Sequence, residues 1–197
     1  MGDSIHWLIL TCLDGARGYT AEQIGGRQNE IQEVANLYGF STVSSLNYPC
    51  ARLDTIAMSE LVQGIHAIVQ QVKPEVVYLP NRSDAHSDHR VAFEAILGAT
   101  KSFRCPFIRR MLSYECLSET ETAPALAETA FVPTVFVDIT EGFSVKQKAM
   151  QLYPSELMAP SLPRSPEVME ALARFRGSRI GVPYAESFML LYEAIRA

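Results

Sequence analysis

Apolar positions along the first hundred residues switch between short unbroken runs and helical spacing. Residues 7–12 form a short run rich in Leu and Ile that stops at Asp14-Gly15-Ala16-Arg17-Gly18, the pattern of a buried strand entering a glycine-containing loop. Ile24, Ile31, Val34, Ala35 and Tyr38 then define one helical face. Thr20 and Gln23 have capping-box spacing at its front and Gly39 closes it, so a helix is predicted. Residues 42–46 predict a second strand. Asp54 stands where it can cap a second helix, whose apolar positions Ile56, Leu61, Ile65, Ile68 and Val69 continue to Lys73-Pro74. Residues 76–79 predict a third strand and 89–100 a third helix. Strand and helix alternating three times imply parallel strands joined by right-handed crossovers.

Beyond residue 100 the pattern loosens. Residues 110–115 and 132–139 read as strands separated by a polar surface loop at 117–128, and 143–153, 166–175 and 185–196 read as helices. No repeat, low-complexity tract or linker interrupts the chain, and its 197 residues suit one domain, 1–197.

Composition narrows the partners. A net charge of −5 lacks the basic footprint of a general nucleic-acid binder, so a small molecule or neutral sugar suits the chain better. Cys12, Cys50, Cys105 and Cys116 are scattered with no CxxC pair, which reads as reduced thiols. No apolar run approaches the ~20 residues of a membrane span. The N-terminus lacks the basic start and small-residue cleavage site of a signal peptide, so a cytoplasmic location is expected. No G-x-G-x-x-G follows a predicted strand, which argues against a dinucleotide site.

The stretch 76–90, VVYLPNRSDAHSDHR, sets two of the four histidines and two aspartates just beyond the third strand, where α/β folds place their chemistry. Imidazole can ligate zinc or move a proton near neutral pH, so His86, Asp88 and His89 could supply a ligand, an acid and an orienting carboxylate. A merely polar loop with Asp84 or Asp88 capping the next helix would look the same, and the local pattern leaves both readings open. His66, inside the second helix, reads as a packing or surface residue. His6 and Asp14 flank the first strand at opposite ends and could not both reach one metal.

Four segments in order carry a resemblance: HWLILTCLDGARG, RQNE, YLPNRSDAHSDH and RFRGSRIGVPYAESFML. Together they resemble the PIG-L/LmbE-like family of zinc-dependent N-deacetylases, which remove an acetyl group from N-acetylated sugars and related amides. The resemblance implies a Rossmann-like three-layer α/β fold with a mainly parallel sheet. It makes His89 the zinc ligand and His86 the charged imidazole that faces the oxyanion or protonates the leaving amine. Asp88 becomes the carboxylate that holds and charges a histidine. Arg27 becomes a substrate-hydroxyl contact, beside the plain alternative of an ion pair with Glu30 or Glu33.

The chain also departs from the family pattern. The H-P-D-D-E-like motif on the family's first strand, which supplies the other zinc ligands and the general base, is absent from this sequence, which begins where the second strand would. Pro49-Cys50 stands near the place of a substrate-facing aspartate. The N-terminal strand is therefore expected to be missing and the zinc site incomplete, and an open sheet edge would favour homo-oligomers. Two functions follow: an N-deacetylase acting on a small-molecule or glycoconjugate substrate such as an N-acetylglucosamine derivative, or a non-catalytic sugar-binding module that has lost its metal site.

Overall fold

The capping box forms as the sequence implies. In the computed structural model, which describes residues 3–195, Gln23 N–H donates to Thr20 Oγ1 at 3.2 Å and Thr20 N–H to Gln23 Oε1 at 2.9 Å. These bonds open helix α1 (Ala21–Tyr38), and Gly39 ends it in the left-handed conformation at φ 65°. Before it lies strand β1 (His6–Cys12), after it β2 (Thr42–Pro49), and the two pair in parallel. The chain continues through α2 (Met58–Val72), β3 (Val76–Pro80), α3 (Ser87–Ala99), β4 (Arg110–Tyr114), β5 (Val135–Asp138), α4 (Phe143–Gln151), α5 (Pro166–Ser178) and β6 (Ala185–Glu193).

These elements gather in two compact units. The first takes the chain up to Pro49 together with Phe136–Glu186, and the second takes Cys50–Val135 with the residues from Ser187 on. In the first, Trp7 meets Phe40 edge-on at 5.6 Å and Tyr38 stacks on Phe40 at 5.4 Å, fastening the turn between α1 and β2. Ser165 caps α5 by accepting from Val168 N–H, with Pro166 at its first position. Near the end of α5, a methyl group on Gly177 would lie 2.4 Å from the Val182 carbonyl oxygen. Gly177→Ala is therefore expected to cost about 2 kcal/mol through forced backbone movement, measurable by urea unfolding.

In the second unit β3 and β4 run parallel, from Val76 opposite Arg110 to Pro80 opposite Tyr114, and β4 pairs antiparallel with β6. Within this unit the strands run in the order β3-β4-β6. The core joins Leu61, Ile65 and Val69 of α2 to Ala92, Phe93, Ala95 and Ala99 of α3, with Leu79 and Leu112 from the strands. Leu61 and Leu79 are completely buried, each contributing roughly 1.5–3 kcal/mol by the usual transfer scale. His66 packs as expected, its Nδ1–H donating to the Ala99 carbonyl at 2.8 Å.

Three expectations need correction. Residues 185–193 are a strand, because pairing with β4 and the burial of Phe188 against Tyr78 at 5.2 Å outweigh the local helical pattern; Arg196 lies outside the described residues. Asp54 does not cap α2: it lies in a 3-10 turn, Leu53–Thr55, and α2 starts after Ala57 with no side-chain cap. The sheet is only partly parallel, and its strands divide into two sheets. Among the described residues β1 pairs only with β2 and β3 ends its own sheet, leaving Val76 and Tyr78 of β3 exposed. The four cysteines form no disulfide, and no helix among the described residues is long and apolar enough to cross a membrane.

Candidate functional site

Strand β3 delivers the chain to Pro80, and residues 81–86 then form the turn that leads into α3. Parallel pairing puts Tyr114, at the carboxyl end of β4, beside Pro80. The histidine loop and the segment that follows β4 thus share one sheet edge, the position where α/β folds place ligands.

Asp84 is the centre of this turn. Its side chain is wholly buried, and three groups donate to it: Asn81 Nδ2 to Oδ1 at 3.1 Å, Thr120 Oγ1 to Oδ1 at 2.7 Å, and His89 Nδ1 to Oδ2 at 2.8 Å. Since a carboxylate only accepts, the His89 proton sits on Nδ1 and the neutral ring presents the lone pair of Nε2. With about a quarter of its side chain exposed, His89 can reach a ligand.

His86 has the opposite polarity. It is the N-cap of α3, and its Nδ1 accepts the Asp88 N–H at 3.1 Å, so the neutral ring carries its proton on Nε2 and offers a donor. The two rings stack with centroids 5.1 Å apart and planes 25° off parallel. A donor nitrogen and an acceptor nitrogen are thereby brought side by side on one turn.

Asp88 differs from expectation. Its carboxylate, almost fully buried, accepts from Ala51 N–H at 2.6 Å and Leu53 N–H at 3.0 Å, while its backbone N–H donates to His86 Nδ1. Those bonds hold Ala51 in the left-handed region, at φ 54°. The carboxylate that holds a histidine is Asp84, and the cap that sequence reasoning gave to Asp84 or Asp88 is His86.

Arg27 belongs to the other unit, away in sequence from these groups. Its Nε lies 3.0 Å from Glu30 Oε2 without the alignment of a hydrogen bond, while Nη2 donates to Ser155 Oγ at 3.0 Å and to Glu156. The guanidinium also lies over the Tyr153 ring, 5.2 Å from its centroid. Burial pushes the Tyr153 phenol up to about 12, against the opposing pull of Arg27. The ion pair with Glu30 expected as the plain alternative is present.

Tyr114 and Thr120 were not singled out from the sequence. Burial raises the Tyr114 phenol above its ordinary range, with the charges of Cys116 and Asp84 adding to the shift, so Tyr114 stays protonated. No short-range signal marks Thr120, which meets Asp84 from 36 positions along the chain.

A catalytic zinc site usually draws on three protein ligands. His89 suits such a role, its second nitrogen held by a carboxylate in the way ligating imidazoles usually are. It is one ligand: among the described residues no three His, Cys, Asp or Glu side chains come together in a group that could hold a metal. The residues present do not fit a complete site.

The family model for PIG-L, described as GlcNAc-PI de-N-acetylase, matches residues 2–100, which run from the start of the chain through α3 and include the histidine turn. The chain belongs to the PIG-L family. Solved structures show the same fold. The conserved protein TT1542 from Thermus thermophilus superposes with a TM-score of 0.73 at 23% identity, covering 96% of this chain and 83% of that one. The N,N'-diacetylchitobiose deacetylase from Pyrococcus horikoshii gives 0.68 at 21% identity, with 96% and 73% covered. The 4-carboxy-2-hydroxymuconate hydratase from Pseudomonas putida gives 0.69 at 17%, with 98% and 86% covered. One PIG-L-like fold thus carries a deacetylase in one protein and a hydratase in another, so function must be argued from the site.

Proposed function

We propose that this chain is a PIG-L-type N-deacetylase of an N-acetylated sugar or related amide, and that its described residues hold the histidine half of the machinery. The observation that carries the reading is the opposite polarity of two adjacent imidazoles. His86 Nε2–H is a donor for the acetyl oxygen, where charge develops as an amide carbonyl is attacked. His89 Nε2, polarised by Asp84, is the acceptor and the residue through which zinc would be held. Asp88 acts through His86 as a positioning residue, its N–H fixing the ring and its carboxylate tying the 51–53 segment to α3. Arg27 lies in the other unit, where its contacts run to Glu30, Ser155 and Glu156, and its part as a sugar-hydroxyl contact rests on the family resemblance alone.

A second reading has its own support. Because the described residues make no three-ligand group, the same histidine pair would serve a sugar-binding module without hydrolysis. The two readings separate in two steps, in which zinc is titrated by calorimetry and acetate release from N-acetylglucosamine is followed, first on the 197-residue chain and then with the family's metal ligands restored. The expected result is weak zinc binding and turnover at or near background, since one imidazole does not replace three ligands. Stoichiometric tight zinc with robust acetate release would show that the ligands are misassigned here. A sugar-binding module is supported if N-acetylglucosamine binds but restored metal ligands bring no hydrolysis.

A further inference from the structure

We infer that Thr120, on the loop after β4, is a positioning residue for His89, reserving one oxygen of Asp84 for that imidazole. Asp84 has two oxygens and three donors, so the division of donors between them decides where the histidine is held. Thr120 Oγ1 and Asn81 Nδ2 both donate to Oδ1, and Oδ2 is left to His89 Nδ1. The Thr120 hydroxyl has one proton, and its direction is set because the same oxygen accepts the Cys116 N–H at 2.8 Å. The loop itself is fastened to the histidine turn by Ala85 N–H donating to the Glu119 carbonyl at 3.0 Å. Both bonds on Oδ1 have ordinary lengths for their donors, and Thr120 supplies the one that comes from a separate loop, 36 positions along the chain from Asp84, whereas Asn81 lies in the same turn.

The consequence is specific to one proton. With Thr120 in place, His89 Nδ1–H stays on Oδ2 and Nε2 stays an acceptor. Without it, the carboxylate turns between its partners and the His89 bond opens more often. The inference deepens the role given to His89 above, but its test needs neither substrate nor metal and so stands or falls separately from the deacetylase reading.

The test is the exchange of the His89 Nδ1 proton with solvent in the 15N-labelled 197-residue chain, assigned by its loss in His89→Gln. Thr120→Val, which keeps shape and removes the hydroxyl, is expected to speed that exchange about tenfold, the factor of one ordinary hydrogen bond. Backbone amides within α3 should keep their protection, which a general loosening of the fold would not allow. Thr120→Ser is expected to restore the slow exchange. If Thr120→Val fails to fold, Thr120→Ala is read in the same way. Exchange unchanged in the hydroxyl-less variants, or equal acceleration across the α3 amides, would overturn the inference.

Discussion

Asp84→Ala is expected to lower the unfolding free energy by about 3 kcal/mol or more, the largest loss expected from any single substitution in the histidine turn. The change removes one side chain but orphans three donors, Asn81 Nδ2, Thr120 Oγ1 and His89 Nδ1, at a position with no exposure to water. Each buried donor left unpaired costs on the order of 1–3 kcal/mol, partly recovered where a side chain can turn outward, as the partly exposed His89 can. Asp84→Asn should cost less, yet still be harmful, because an amide must aim an N–H at one of the three donors. Urea unfolding of both variants against Asp14→Ala, an aspartate that accepts one local N–H at an exposed bond, measures the difference. A loss from Asp84→Ala no larger than that of Asp14→Ala would mean that Asp84 is not the anchor of the turn.

The second large effect is a gain. Adding before Met1 a strand that carries the family's H-P-D-D-type motif is expected to turn a weak zinc binder into a stoichiometric one and to bring amide hydrolysis with it, because His89 would then be one of three ligands. Among the described residues β3 ends its own sheet. Metal content after dialysis, and acetate released from N-acetylglucosamine, read out the two gains independently. Zinc without hydrolysis would favour the sugar-binding reading.

What could be read in the sequence was what short range decides. The cap of α1 depends on Thr20 and Gln23, three residues apart, and both of its bonds form as read. The β3 strand and the helix after it were legible because apolar period and length agree there. β6 was misread because its conformation is set by β4, which lies far earlier in the chain and whose pairing overrides local preference. The histidine turn shows the same division. His86 and His89 were visible as residues beyond a strand, but their polarity was not. That polarity depends on Asp88 offering its N–H rather than its carboxylate, and on Thr120 arriving from another loop to occupy Asp84. The family resemblance makes Asp88 the carboxylate that holds a histidine. Its carboxylate instead meets the strained Ala51 turn, a partner that no spacing rule indicates.

We propose different tasks for the two histidines, His89 toward the metal and His86 toward the acyl oxygen. The most direct measurement compares His86→Ala with His89→Ala in the strand-extended chain, with zinc content and acetate release determined on the same samples. His89→Ala should lose both metal and activity, since its Nε2 is the lone pair backed by the buried Asp84 carboxylate. His86→Ala should keep most of its zinc while turnover falls ~100-fold or more, the loss expected when an oxyanion donor is removed. Zinc stripped by His86→Ala and retained by His89→Ala would reverse the two roles, and turnover unchanged in both would reduce the turn to a helix cap.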